Sequence, residues 1–128
     1  RELGLQFPKM FISFCFFPQM FDKTKYFEEA GDHADEMETS LMLYLRPDLV
    51  LSKNEWGSGA AKAFKIKYFS EGWVWAERQW SKVSSDTGIG NPEFASAEKG
   101  ERFFKAICNK VASLFSELCD ADIDNLYE

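Results

Sequence analysis

An α/β fold, with a mainly parallel sheet flanked by helices, is the class this sequence predicts, and three patterns point to it. Residues 11–17 form a phenylalanine-rich apolar run bounded by Pro8 and Pro18, which reads as a buried strand apolar on both faces. Residues 62–68 alternate Lys62/Ala63, Phe64/Lys65 and Ile66/Lys67, a strand pattern with one solvated face. Two apolar stripes at helical spacing, one in residues 37–45 and one in residues 103–118, supply helices to cover a sheet.

In chain order, residues 19–31 are polar and irregular and read as a strand-to-helix connection. In open α/β sheets such connections at the carboxyl ends of strands carry ligand sites, and the only histidine, His33, falls there. A helix is predicted from about Asp35, with Asp35 as N-cap and Glu38 three residues on, as in a capping box. Met37, Leu41, Tyr44 and Leu45 should face the core, and Pro47 ends the element by disfavouring helical geometry at Arg46. Residues 48–51 read as a short extended segment and residues 54–59, with Gly57, Ser58 and Gly59, as a loop. Trp73, Trp75 and Trp80 fall within residues 72–80; in an extended chain Trp73 and Trp75 share a face, opposite Val74 and Ala76. Residues 84–92, dense in Ser, Asp, Thr, Gly, Asn and Pro, form a loop. Ser96 can cap a last helix whose apolar residues Phe103, Ile107, Val111, Leu114 and Leu118 carry it to about Cys119. The acidic residues 120–128 are expected to fray.

At 128 residues the chain is long enough for one domain, spanning 1–128, and too short for two. The thirteen Phe and four Trp either fill a core or cover an interface. A net charge of −6 argues against a nucleic-acid partner held by a general basic face; Lys62, Lys65 and Lys67 are the local basic group and read as a solvated face. Cys15, Cys108 and Cys119 are odd in number, and on one helix Cys108 and Cys119 would lie about 16 Å apart, too far for a disulfide. A reducing, cytoplasmic setting is the natural expectation. The run at residues 11–17 falls short of the roughly 20 residues a spanning helix needs, and no signal-peptide cleavage site follows it, so no membrane partner is expected.

Chemistry is expected to begin at His33. Flanked by Asp32, Asp35, Glu36 and Glu38, it has the donor set of a divalent metal site, or can act as a general acid/base with a carboxylate partner. The bland alternative is a structural or exposed histidine beside a helix start. The segment His33-Ala34-Asp35-Glu36-Met37-Glu38-Thr39-Ser40 resembles the His-Ala-Gly-x-x-Glu-Thr-Ser signature of the creatininase (creatinine amidohydrolase) family. Trp75-Ala76-Glu77-Arg78-Gln79-Trp80, Asp86-Thr87-Gly88-Ile89-Gly90-Asn91-Pro92 and Ala97-Glu98-Lys99-Gly100 are similar to successive landmarks of that family's second half, in the expected order. Agreement is poorest over residues 1–27.

The resemblance implies a three-layer α/β/α fold and a cytoplasmic, metal-dependent amidohydrolase acting on a small amide, cyclic amides included. It implies two divalent ions, zinc or manganese, in the complete enzyme. The family's Glu-x-His-Gly motif, downstream Asp and Asn-Gly-His segment have no counterpart here, and a chain with one histidine and no Cys-x-x-Cys pair is poorly supplied for two metals. The sequence, which also lacks an initiator methionine, is therefore expected to be the C-terminal portion of a creatininase-like protein and inactive alone. The alternative is a non-catalytic fragment or assembly subunit. The expected partners are a small-molecule amide, a missing N-terminal half and further copies of the chain, a hexamer by resemblance.

By the same resemblance His33 is the catalytic candidate, a proton shuttle, and Asp32 is the carboxylate that would orient it and raise its basicity. Glu38 carries two readings side by side: it caps the helix and favours its positive end, or it ligates metal, since in many relatives the glutamate before Thr-Ser points toward the metal centre. Asp35 stands where the family has glycine, so its carboxylate either crowds the pocket or caps the helix. Glu29 and Ala30 replace the Trp-Asp pair that helps creatininase hold creatinine, which argues against creatinine as substrate. Asp86-Thr87-Gly88 also matches the Asp-Thr-Gly of aspartic proteases, where two carboxylates share a proton. The polar Lys82-Val83-Ser84-Ser85 precedes it instead of an apolar strand, so a polar turn is the preferred reading.

Overall fold

The computed structural model of the chain describes residues 2–29 and 31–127, and its regular elements are helical. They are α1 (Glu2–Gln6), α2 (Glu36–Leu45), α3 (Lys67–Ser70), α4 (Trp80–Val83) and α5 (Ala97–Asp120), with short 3-10 turns at Phe17–Gln19, Lys23–Lys25, Pro47–Leu49 and Lys53–Glu55.

The expected parallel sheet is not found among the described residues. Strand-like pairing there is confined to isolated antiparallel bridges, His33 with Ile89 and Ala61 with Ser84. The reason is physical: a strand persists only where neighbouring backbones take up its N–H and C=O groups over several residues. Residues 11–16, expected as a buried strand, have no regular structure and leave Phe14 87% exposed. The alternating residues 62–68 are likewise no strand, because the chain turns helical at Lys67. The tryptophan-rich stretch runs without regular structure to Gln79 and enters α4 at Trp80, leaving Trp73 and Trp75 exposed. The short extended segment expected at residues 48–51 begins instead inside a 3-10 turn.

The chain forms two compact units, residues 23–104 and a second made of residues 2–22 with 105–127. In the second, Lys110 Nζ donates to the Met20 carbonyl at 2.9 Å and sits 4.9 Å from the Phe21 ring centroid. Cys15, Cys108 and Cys119 are all free and exposed.

Residues 23–104 hold the best-defined core. Phe103, fully buried at the start of α5, meets Phe27 edge-on at 5.1 Å and Tyr26 at 5.0 Å, and Met37 of α2 is also buried. α2 begins where the capping pattern places it: Asp35 is the N-cap and accepts from the Glu38 N–H at 2.9 Å. It ends at Arg46, before Pro47. α5 is capped by Ser96, whose hydroxyl accepts from the Lys99 N–H at 3.2 Å. The two helices meet at Gly100, where a Cβ would overlap the Ser40 carbonyl oxygen, while the buried Ser40 hydroxyl accepts from the Ser96 N–H at 3.2 Å. Beside this contact Lys99 Nζ reaches the buried Glu36 carboxylate at 2.5 Å. The Ala97-Glu98-Lys99-Gly100 motif thus encodes the docking of α5 on α2.

Candidate active site around His33

The N-terminus of α2 and the loop of residues 84–92 clamp His33 between them. On the helix side, Glu38 Oε2 accepts from the Ala34 N–H at 2.6 Å, one residue earlier than a standard capping box would bond. Ala34 takes a left-handed φ of 48°, a conformation a non-glycine residue holds only against a cost of about 1 kcal/mol. On the loop side, the Asp32 and His33 N–H groups both donate to the Ile89 carbonyl, at 2.9 and 3.2 Å, and the Ile89 N–H donates back to the His33 carbonyl at 2.7 Å. Gly31 permits this approach, since a Cβ there would lie 2.7 Å from the Ile89 oxygen.

The loop is itself held by Asp86. Its Oδ1 accepts from the Ser84 hydroxyl at 2.8 Å and the Gly88 N–H at 3.0 Å, and its Oδ2 accepts from the Gly59 N–H at 3.2 Å. These bonds, Ser84 foremost, hold the Asp86 carboxyl below its ordinary range. The carbonyl of Gly59, a residue at φ 63°, accepts from the Gly90 N–H at 3.0 Å. Both Asp86 oxygens are taken by hydrogen bonds, Oδ1 by the turn itself and Oδ2 by Gly59, as a polar turn and not a protease carboxylate would have them.

Two residues that the motif pattern alone did not assign a role complete the surroundings of His33. Trp80 lies against the imidazole with ring centroids 4.9 Å apart. Arg78 sits over Trp80 at 5.6 Å and grips both oxygens of Asp32, Nη1 to Oδ1 at 3.0 Å and Nη2 to Oδ2. Their signal in the sequence was membership of the Trp75–Trp80 motif. The Asp32 carboxylate therefore faces Arg78, and among the described residues the exposed His33 imidazole has no hydrogen-bond partner. Glu29 spends its N–H on the buried Glu36 carboxylate at 2.8 Å; Ala30 lies outside the described residues.

His33 and Glu38 line one cavity of about 450 Å³. Asp86 and Thr39 add to this polar wall, and Met42, Leu49, Leu51 and Trp56 form an apolar wall opposite in character. Asp32 is not on it. For a metal ion, the wall offers the His33 imidazole and the second oxygen of Glu38, while Asp32 and Asp86 are committed elsewhere. Among the described residues no three His, Cys, Asp or Glu side chains converge as a ligand group. They do not fit a complete metal centre, which takes at least three protein ligands.

No described helix is long and apolar enough to cross a membrane. No protein of curated function matches the chain. A solved structure does: that of a proposed creatinine amidohydrolase from Bacteroides fragilis, 40% identical, with a TM-score of 0.88. The match covers 99% of this chain and 49% of that one, so the chain spans about half the length of the protein it matches. The sequence profile of creatinine amidohydrolases, the creatininase family, fits residues 1–115, and by that extent of agreement the chain belongs to the creatininase family.

Proposed function

We propose that this chain supplies the His33 side of an amidohydrolase site for a small amide. Amide hydrolysis needs a proton delivered to the leaving nitrogen, because an amide anion is too basic to depart by itself. His33 is the group suited to carry it: it stands on the wall of the 450 Å³ cavity with an uncommitted imidazole. That placement, within a chain matched to the family over residues 1–115, is the observation that carries the reading. Asp32 would act on His33 only indirectly, through Arg78, which holds its carboxylate and sits over the Trp80 ring that lies against the imidazole. The apolar wall would take the carbon skeleton of the substrate, and Glu29 in place of the family's tryptophan turns the preference away from creatinine.

Members of this family are generally metal-dependent. Glu38 closes the helix cap with one oxygen and has the other available as a ligand; a metal there would take further ligands from outside the described residues. The test is hydrolysis of a panel of small linear and cyclic amides, with zinc or manganese supplied. The expected result is turnover that falls by about a hundredfold or more in His33→Ala, the range for losing a general acid/base. Turnover unchanged in His33→Ala would overturn the assignment.

A second reading is favoured by the shortage of ligands: the chain turns nothing over alone and completes its site only in an assembly, with another copy or a chain that brings the missing donors. Titration of zinc and manganese into the chain separates the two. Tight binding lost in Glu38→Ala and His33→Ala supports a self-sufficient site, and absence of specific binding supports the assembly.

A further inference from the structure

A second cavity, of about 630 Å³, opens among residues 61–65, 69–70, 74–79, 82–83 and Ile89, and shares no lining residue with the His33 cavity. Its charge is unlike that of the chain: Lys62, Lys65, Arg78 and Lys82 line it against one carboxylate, Glu77, in a protein of net charge −6. The bridge between Ala61 and Ser84, with the Lys62 N–H donating to the Val83 carbonyl at 2.8 Å, brings the backbone of Lys62 to within one residue of Lys82. Like charges gathered on the lining of one cavity repel, and an anion among them would relieve that repulsion. Among the described residues the ammonium groups of Lys62, Lys65 and Lys82 make no ion pair or hydrogen bond, in contrast to Lys99 and Lys110. Arg78, on the same cavity, already holds the Asp32 carboxylate, which shows the kind of group this surface takes. An aromatic pair completes the lining: Phe64 and Phe69 stack at 4.5 Å and 26°.

We propose that this cavity binds a small organic anion, phosphate- or carboxylate-bearing, with its charge on Lys62, Lys65 and Lys82 and its apolar part on the Phe64–Phe69 pair. The ammonium groups supply charge-assisted hydrogen bonds and the rings supply apolar contact, so an anion with a hydrophobic body binds better than a bare one. The proposal is independent of the amidohydrolase reading, since it draws on none of the residues lining the His33 cavity.

The test is titration of the full chain with phenyl phosphate, benzoate, inorganic phosphate and phenol, followed by tryptophan fluorescence, with Trp75 on the cavity as reporter. The expected result is saturable binding of phenyl phosphate or benzoate, weaker for inorganic phosphate and absent for phenol, and weakened by added salt. The relative strength of the first two identifies the preferred head group. Lys62→Gln/Lys65→Gln should raise the Kd by about tenfold or more, and Lys82→Gln serves in its place if circular dichroism shows that the double variant is unfolded. Glu38→Gln, on the other cavity, should leave the Kd unchanged. No saturable binding of either aromatic anion, or binding indifferent to the lysine substitutions, would overturn the proposal.

Discussion

Lys99 Nζ lies 2.5 Å from Oε1 of Glu36, a carboxylate with no exposed surface, and tethers α5 to the start of α2. The same ammonium also reaches Glu28 Oε1 at 3.0 Å and the Phe94 carbonyl at 2.8 Å, and Glu36 Oε2 accepts from the Glu28 and Glu29 N–H groups at 2.8 Å each. One buried ion pair thus joins two helices and the segment that leads to His33.

Removing one partner should cost more than removing both. Lys99→Met leaves the Glu36 charge buried with only its two backbone donors, and a buried charge stripped of its partner costs about 3–5 kcal/mol. Lys99 keeps 22% of its side chain exposed, so a value at the lower end of that range, about 3 kcal/mol, is expected. Urea denaturation should show a lower midpoint with an unchanged slope. Lys99→Met/Glu36→Gln should recover part of the loss, and a Lys99→Met chain as stable as the parent would refute the tether.

The pair also dictates a pH dependence. Burial opposes ionisation of Glu36, yet Lys99 and the Glu29 and Glu28 N–H groups outweigh it and hold the carboxyl below its ordinary 4.5. Its contribution to stability is present above that value and is lost as pH falls through the depressed folded value. For Lys99, partial burial is outweighed by Glu36 and Glu28, which raise it above 10.5. That contribution is present below 10.5 and disappears as pH rises through the elevated folded value. The difference in unfolding free energy between the parent and Glu36→Gln should therefore be flat from about 4.5 to 10.5 and shrink on both sides. A difference that keeps growing below pH 4.5 would contradict it.

Gly100 sets two effects against each other. Gly→Ala inside a helix normally stabilises by about 1 kcal/mol. Here the new methyl would overlap the Ser40 carbonyl, and overpacking costs about 1–3 kcal/mol. The backbone cannot yield as a flexible side chain would, so the steric term wins and Gly100→Ala should lower stability by about 1–2 kcal/mol. Gly4→Ala is the control, because a Cβ there meets nothing within 4 Å. Thermal unfolding of the two variants should move in opposite directions or only for Gly100.

What the sequence made legible follows from how far each signal reaches along the chain. The cap of α2 at Asp35, its end before Pro47, the Ser96 cap and the helical course of α5 are local patterns, closed within four residues or along one helix, and all of them form, although of the α5 stripe Phe103 is buried and Leu114 is exposed. The sheet is a relation between distant segments. An apolar run such as residues 11–17 records that a segment favours burial, but its ladder needs a partner backbone; among the described residues no bridge involves this run, and the two found elsewhere, His33–Ile89 and Ala61–Ser84, are isolated. The same distinction divides the site. The capping role of Glu38 could be read three residues from Asp35. The convergence of Arg78 and Trp80 on Asp32 and His33 spans 46 residues for the Arg78–Asp32 pair and has no local signature, so it emerges only in the folded chain.

Trp80 and Arg78 should position His33 by a route that can be followed without any assay. His33 is the only histidine, so its ring resonances are identified at once in a proton NMR spectrum. With the Trp80 ring centroid 4.9 Å away, those resonances carry a ring-current displacement that Trp80→Leu should abolish. Arg78→Gln removes both the cation over Trp80 and the grip on Asp32, and should displace the same resonances part of the way. Arg78→Lys keeps the charge but loses the two-pronged geometry, and should fall between the parent and Arg78→Gln. If the chain hydrolyses a small amide as proposed, the same order should appear in kcat/KM, reaching about a hundredfold for Trp80→Leu, the size of effect a misplaced catalytic group produces. His33 resonances unmoved by Trp80→Leu would mean that the indole does not hold the imidazole, and the positioning role would fall with it.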